Sequence, residues 1–132
     1  MLQTTIDMHK VLIGIGTNSD ANSNMKLAIN YLLSYFPNIK FTNWIETQPF
    51  GVGFTAPFLN ALAYLKTDMD REQLQQLLKT IERDMGRLPS HKKEGKIIID
   101  IDLIKYDGDI LKPDDFRHDY MQQLLEEIKE IM

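Results

Sequence analysis

No cysteine occurs among the 132 residues, which removes disulfides, thiolate zinc sites and cysteine nucleophiles from consideration. Whatever fold the chain adopts must be held by its core. Long apolar runs are missing too: none approaches the roughly 20 residues needed to cross a bilayer, so no membrane partner is expected. The opening MLQTTIDMHK has neither an extended apolar stretch nor a small-residue cleavage pattern, and the expected location is cytoplasmic. Positive charge is in the minority, with 15 Lys and Arg against 19 Asp and Glu and a formal net charge of −4. A nucleic-acid binder gathers cations into a dominant field that neutralises phosphates, and this balance argues against such a partner. No repeat, low-complexity tract or linker-like stretch interrupts the sequence. With 43% hydrophobic content, residues 1–132 suffice for one domain with its own core.

What is present is an alternation of strand and helix patterns. Val11-Leu12-Ile13-Gly14-Ile15 is a β-prone run closed by the turn-forming Gly16-Thr17-Asn18-Ser19-Asp20, and reads as a buried strand. Leu27, Ala28, Tyr31, Leu32 and Tyr35 follow at helical spacing, with Ser23 or Asn24 as N-cap and Pro37 beyond the end. Ile39 to Ile45 and Leu59 to Thr67 are β-prone, separated by a Pro-, Gly- and Phe-rich segment longer than a usual hairpin loop. Asp70 precedes the stripe Leu74, Leu77, Leu78, Ile81 and Met85, with Gln73 three residues after the cap and Gly86 placed to end the helix. A basic loop from Arg87 to Lys96 leads into a strand over Ile97–Ile104, an Asp107-Gly108 turn and a short edge strand at Ile110-Leu111. Tyr120, Leu124, Leu125, Ile128 and Ile131 place an apolar stripe on a last helix. The order predicts an α+β fold: a ferredoxin-like β-α-β-β-α-β antiparallel sheet with helices packed on one face, plus a C-terminal helix.

Asp100 and Asp102 stand two apart on a strand pattern, so both carboxylates share one face while Ile99, Ile101 and Leu103 take the other. Like charges on one face repel, which raises one pKa unless a cation neutralises them. Such a pair suits one or two Mg²⁺ bridging a polyphosphate. It fits a strand with one wet face as well. Arg87, His91, Lys92, Lys93 and Lys96 in the preceding loop read either as a polyphosphate cradle or as a solvated basic loop. Thr47-Gln48-Pro49-Phe50-Gly51 with Phe58-Leu59-Asn60 offers aromatic faces, an amide and rigid backbone, the elements that hold a flat heteroaromatic ring, although by themselves Phe50 and Phe58 read first as core residues and Asn60 as a turn or strand-edge group. Gly14-Ile15-Gly16 lacks the third glycine and acidic partner of a dinucleotide fingerprint and reads as close backbone packing. His118 by itself reads as a surface or satisfied histidine.

Taken in order, these segments resemble the 6-hydroxymethyl-7,8-dihydropterin pyrophosphokinase family of folate biosynthesis. Gly16-Thr17-Asn18 resembles the family's Gly-Ser-Asn after strand one, and Glu46 to Gly51 its Thr-x-Pro-x-Gly loop. Phe58-Leu59-Asn60-Ala61 resembles its aromatic-Leu-Asn-Ala strand opening, Ile81-Glu82 through Gly86-Arg87 its helix end, and Asp100-Ile101-Asp102-Leu103 its acidic strand. The resemblance runs from Val11 to His118 and implies transfer of the terminal pyrophosphoryl of Mg-ATP to the hydroxymethyl oxygen of a reduced pterin, with release of AMP. It further implies that Asp100 and Asp102 hold two Mg²⁺ and form the catalytic set with His118. Thr47, Pro49, Phe50, Phe58 and Asn60 would bind the pterin, and Glu82, Arg87, Lys93, Lys96, Leu103 and His118 the ATP.

The chain also departs from the family pattern. Pro89 stands where a second Arg is expected, Glu94 where a Trp closes over the pterin, and Ile97 where an Arg precedes the first Asp by three residues. Lys93 replaces a further Arg, Asp119 follows His118 in place of Tyr, and Leu124 occupies the region of a later Arg. Lys96 is near enough in sequence to take up a phosphate contact, as a point charge rather than a bidentate fork. Two other classes stay open from sequence. One is a relative that keeps a pterin-like or nucleotide pocket for sensing or regulation. The other is an interaction domain with no small-molecule site, which predicts no hollow beside Asp100 and Asp102.

Overall fold

Alternating apolar residues make His9–Thr17 a strand, β1, and the computed structural model, which describes residues 8–49 and 56–132, sets it centrally in an antiparallel sheet. Along the chain follow α1 (Ala21–Tyr35), β2 (Lys40–Phe41), β3 (Ile45–Thr47), β4 (Phe58–Thr67), α2 (Arg71–Asp84) and a 3-10 turn, Pro89–Glu94. Then come β5 (Asp100–Tyr106), β6 (Asp109–Ile110), a second 3-10 turn at Pro113–Arg117 and α3 (Asp119–Ile131). The strand order is β2-β4-β1-β5-β6, with β3 also on β4, and every pairing is antiparallel. This is the ferredoxin-like arrangement expected from sequence, with its second strand in two pieces. Between the pieces Thr42 keeps contact with β4: its N–H donates to the Leu62 carbonyl at 2.9 Å, and its hydroxyl accepts the Leu62 N–H at 2.9 Å.

One face of the sheet is covered by α1 and α2. Val11, Ile13 and Ile15 of β1, with Ala61, Ala63 and Leu65 of β4 and Ile101 and Leu103 of β5, pack there against Met25, Ala28 and Leu32 of α1 and Leu74, Leu78 and Ile81 of α2. Each fully buried Leu or Ile on such a face contributes on the order of 2 kcal/mol. The stripe of α1 differs from the expected one, since Leu27 is 42% and Tyr35 47% exposed. The helix begins at Ala21 behind a left-handed Asp20, earlier than a Ser23 or Asn24 cap would place it, and Met25 turns inward. On α2 the expected capping box forms: Asp70 Oδ1 accepts the Gln73 N–H at 2.8 Å and Gln73 Oε1 accepts the Asp70 N–H at 3.2 Å.

Helix α3 lies on the opposite face, where Met121, Leu124 and Ile128 meet Leu12, Leu62, Tyr64 and Ile104. Strand β5 begins at Asp100 rather than at Ile97. Ile97 is instead held by Asn18, whose backbone N–H donates to the Ile97 carbonyl at 3.0 Å and whose Oδ1 accepts the Ile97 N–H at 2.7 Å. Among the described residues no helix is long and apolar enough to cross a membrane.

Candidate active site

The positions of β1 that face α3 read Leu12, Gly14, Gly16. Leu12 packs under α3, and where the side chains stop a cavity of about 280 Å³ opens over the two glycines. Phe58 and Asn60 of β4 wall one side, Asp100 and Asp102 of β5 the other, and Tyr120, Met121 and Leu124 of α3 form the roof. A side chain at either glycine would displace its neighbours. A Cβ on Gly14 would stand 2.5 Å from Ile104 Cδ1, and one on Gly16 would stand 3.1 Å from Asn60 Oδ1. Strand register adds a further constraint: Gly16 pairs with Asn60 on one side and Asp100 on the other, and Gly14 pairs with Asp102. The backbones of Asn60 and Asp100 are thus two strand spacings apart, roughly 10 Å, with a bare glycine between them. The Asn60 amide is oriented by donating from Nδ2 to Thr47 Oγ1 at 2.7 Å.

Asp102 carries the strongest electrostatic signature. Burial, then the neighbouring Asp100 carboxylate, push its pKa up to about 8. Asp100 is held from the side by Arg87, whose Nη1 lies 3.1 Å from Asp100 Oδ1 and donates to the Ile99 carbonyl at 3.2 Å. The same nitrogen is 3.0 Å from Glu82 Oε2, and Glu82 accepts the Ile101 N–H at 2.7 Å. Burial raises the Glu82 pKa in spite of these partners. Behind the acid pair a second cavity, about 460 Å³, is lined by Leu78, Lys79, Glu82, Leu103 and Lys112, and reaches the same Arg87, Lys92, Asp100 and Asp102. The two hollows share a wall made of the carboxylates. An interaction domain without a small-molecule site was expected to have neither.

With this geometry in place, comparison with known proteins is decisive. The model of the family described as 7,8-dihydro-6-hydroxymethylpterin-pyrophosphokinase matches residues 12–130. The chain belongs to that pyrophosphokinase family. A 2-amino-4-hydroxy-6-hydroxymethyldihydropteridine pyrophosphokinase from Porphyromonas gingivalis is 28% identical over 100 residues, covering 71% of this chain and 67% of that protein. The folic acid synthesis protein FOL1 of Dictyostelium discoideum is 41% identical over 58 residues, which are 44% of this chain and 9% of that much longer protein. Among solved structures, the C-terminal domain of MgtC from Mycobacterium tuberculosis aligns with a TM-score of 0.39 and 8% identity over 77% of this chain and 93% of that one.

The family-motif residues gather unevenly. Asp100, Asp102, Phe58 and Asn60 line the first cavity, and Thr47 is bonded to Asn60. Pro49 lies two residues past the end of β3, half-buried, and Phe50 lies outside the described residues. Glu82, Arg87 and Leu103 line the second cavity. Lys93 and Lys96 are exposed and line neither; Lys92 of the same loop lines both. His118 heads α3 and lines neither cavity, its ring stacked on Tyr120 at 5.5 Å between centroids. Sequence reasoning missed the glycine floor, although the series Leu12, Gly14, Gly16 on alternate positions was there to be read. It also missed Asp115 and Tyr120. Burial raises the pKa of both, the Tyr120 phenol to about 12; the sequence marked Tyr120 only as part of an apolar helical stripe, and its place at the cavity follows from where α3 packs.

Proposed function

We propose that the chain transfers the terminal pyrophosphoryl group of ATP to the hydroxymethyl oxygen of 6-hydroxymethyl-7,8-dihydropterin, in the cytoplasm, as a step of folate biosynthesis. The observation that carries this reading is the acid pair set in a wall common to two cavities. One hollow suits each substrate. In the first, the Asn60 carboxamide, steadied by Thr47, reads the edge of the pterin over the bare Gly16 floor, and Phe58 packs on the ring. Pro49, just past β3, would add to that pocket from the loop, as the family resemblance implies. In the second, Lys79 and Lys112 offer charge to the phosphates, above a floor closed by the buried Leu78 and Leu103.

The chemistry is one displacement. The hydroxymethyl oxygen forms a bond to the β-phosphorus, the bond from that phosphorus to the oxygen shared with the α-phosphate breaks, AMP departs with that oxygen, and the hydroxyl proton passes to solvent. Reactions of this kind are accelerated by positioning and charge neutralisation rather than by a protein nucleophile. Asp100 and Asp102 would hold the magnesium that ATP brings. The donor set fits: Mg²⁺ takes one or two carboxylates and completes its shell with water and phosphate oxygens. The raised Asp102 pKa is what an acid pair shows when no cation offsets it. Bound there, Mg²⁺ would neutralise charge on the phosphates. Arg87 and Glu82 keep Asp100 aimed at that point, while His118, given to the ATP by family resemblance alone, stacks on Tyr120 at the head of α3, outside both cavities. Lys93 and Lys96 add positive potential from the loop.

The test is an AMP-release assay on purified protein with Mg-ATP and the reduced hydroxymethylpterin. Release that depends on the pterin supports the reading; AMP no higher than in a pterin-free control ends it.

A further inference from the structure

Four residues line both cavities: Arg87, Lys92, Asp100 and Asp102. On the pyrophosphoryl-transfer reading, on which this inference rests, the moving group passes through the space those four enclose. Two are anions. Of the two cations, Arg87 is already committed, since its Nη1 contacts Glu82 Oε2, Asp100 Oδ1 and the Ile99 carbonyl within 3.0–3.2 Å. Lys92 is not: its ammonium makes no hydrogen bond or ion pair with any described residue.

Its placement is also fixed by the fold rather than left to a free loop. Pro89 opens the 3-10 turn with a preset φ, and His91 closes it by accepting the Leu88 N–H on Nδ1 at 3.1 Å. The Lys92 carbonyl accepts the Gly95 N–H at 3.1 Å and the His91 carbonyl the Lys96 N–H at 3.0 Å. Gly95 sits at φ 70, where a side chain would be strained, and its carbonyl is held by Asn18 Nδ2 at 3.0 Å. One end of the turn is thus tied through Arg87 to β5 and the other through Asn18 to β1. Between them the turn presents Lys92 to the junction and leaves Lys93 and Lys96 outside both hollows.

We propose that Lys92 is the cation that contacts the transferred pyrophosphoryl group, so that in this chain Pro89 forms the turn that delivers a lysine to the phosphates. A strongly hydrated ammonium on a flexible stem can follow the group from one cavity to the other, which a guanidinium locked between two carboxylates cannot.

Lys92→Ala, Lys92→Arg, Lys93→Ala, Lys96→Ala and, as a remote control, Lys66→Ala are compared with the parent protein in the AMP-release assay. Calorimetric titrations with Mg²⁺ and the non-cleavable α,β-methylene-ATP, and with the pterin alone, accompany it. Lys92→Ala is expected to lower kcat about 100-fold, to weaken the nucleotide analogue about tenfold and to leave the pterin Kd and the melting temperature unchanged; Lys92→Arg recovers most of the rate. An alanine variant within threefold of the parent in kcat overturns the proposal. So does a larger loss in Lys93→Ala or Lys96→Ala than in Lys92→Ala. Should the parent protein itself release no AMP, the functional reading falls, and the analogue titration judges Lys92 alone: unchanged affinity in Lys92→Ala overturns its phosphate role, a tenfold loss upholds it.

Discussion

Asn60 and Asp100 occupy the same level of the sheet, each paired with Gly16 from opposite sides. The amide assigned to the pterin and the carboxylate assigned to the metal are thereby set at a spacing fixed by two rows of backbone hydrogen bonds. A Cβ at Gly16 would meet Asn60 Oδ1 at 3.1 Å, so Gly16→Ala should push the carboxamide off its mark. We expect pterin affinity to fall about tenfold, as expected for a displaced polar contact, with nucleotide affinity within twofold of the parent. Asn60→Ala should show the same asymmetry more strongly. Calorimetry with each ligand separately checks both, and equal losses for the two ligands would show that the cavities have been assigned wrongly.

The Asp102 carboxyl, with its pKa pushed to about 8, makes stability depend on pH in a predictable sense. Between the ordinary aspartate range and pH 8, the folded state keeps a proton that the unfolded chain has lost, so stability falls as pH rises through that window. Asp102→Asn removes the titration yet can still donate to Asp100. Without magnesium, the variant should match the parent near pH 4 and exceed it at pH 8 by on the order of 2 kcal/mol, after discounting for partial exposure. Thermal unfolding at several pH values decides it; a difference that does not grow with pH would mean that the pair carries no such strain.

Much of this architecture was readable from local chemistry. The α2 box closed as written because Asp70 and Gln73 satisfy each other's backbone N–H groups within one turn, with no help from the rest of the protein. The alternation of Ile99, Asp100, Ile101, Asp102 and Leu103 gave both faces of β5 for the same reason. What could not be read was set by distant partners. Ile97 leaves the strand because Asn18, 79 residues away, takes its N–H. Met25 faces inward because Asp20 turns left-handed and starts α1 early. Which lysine reaches the junction depends on where Asn18 pins the loop, and the roof residues Tyr120 and Met121 become site residues when α3 packs on the far face.

The same capping box provides a control for stability without chemistry. Asp70→Ala should cost about 1 kcal/mol, since one helix N–H loses its acceptor at an exposed end, and should leave AMP release unchanged because α2 starts at the end of the helix remote from Glu82. Chemical denaturation and the assay together test this. A loss of activity larger than the loss of folded protein would show that the whole helix, not its last turn, positions the site.

Glu82 is 7% exposed and carries two duties at once, accepting the Ile101 N–H at 2.7 Å and balancing Arg87 at 3.0 Å. Glu82→Ala would leave a buried N–H without an acceptor and a guanidinium without its nearest partner, a loss of about 2–4 kcal/mol. Glu82→Gln keeps an oxygen for Ile101 and relieves the burial of charge that raises the carboxyl's pKa, so it should cost about 1 kcal/mol or less. Both should slow AMP release, because Arg87 then leans on Asp100 alone and the acid pair loses its set. Melting curves separate the two duties: a glutamine variant as unstable as the alanine one would mean that the negative charge, rather than the accepted hydrogen bond, is what ties α2 to β5.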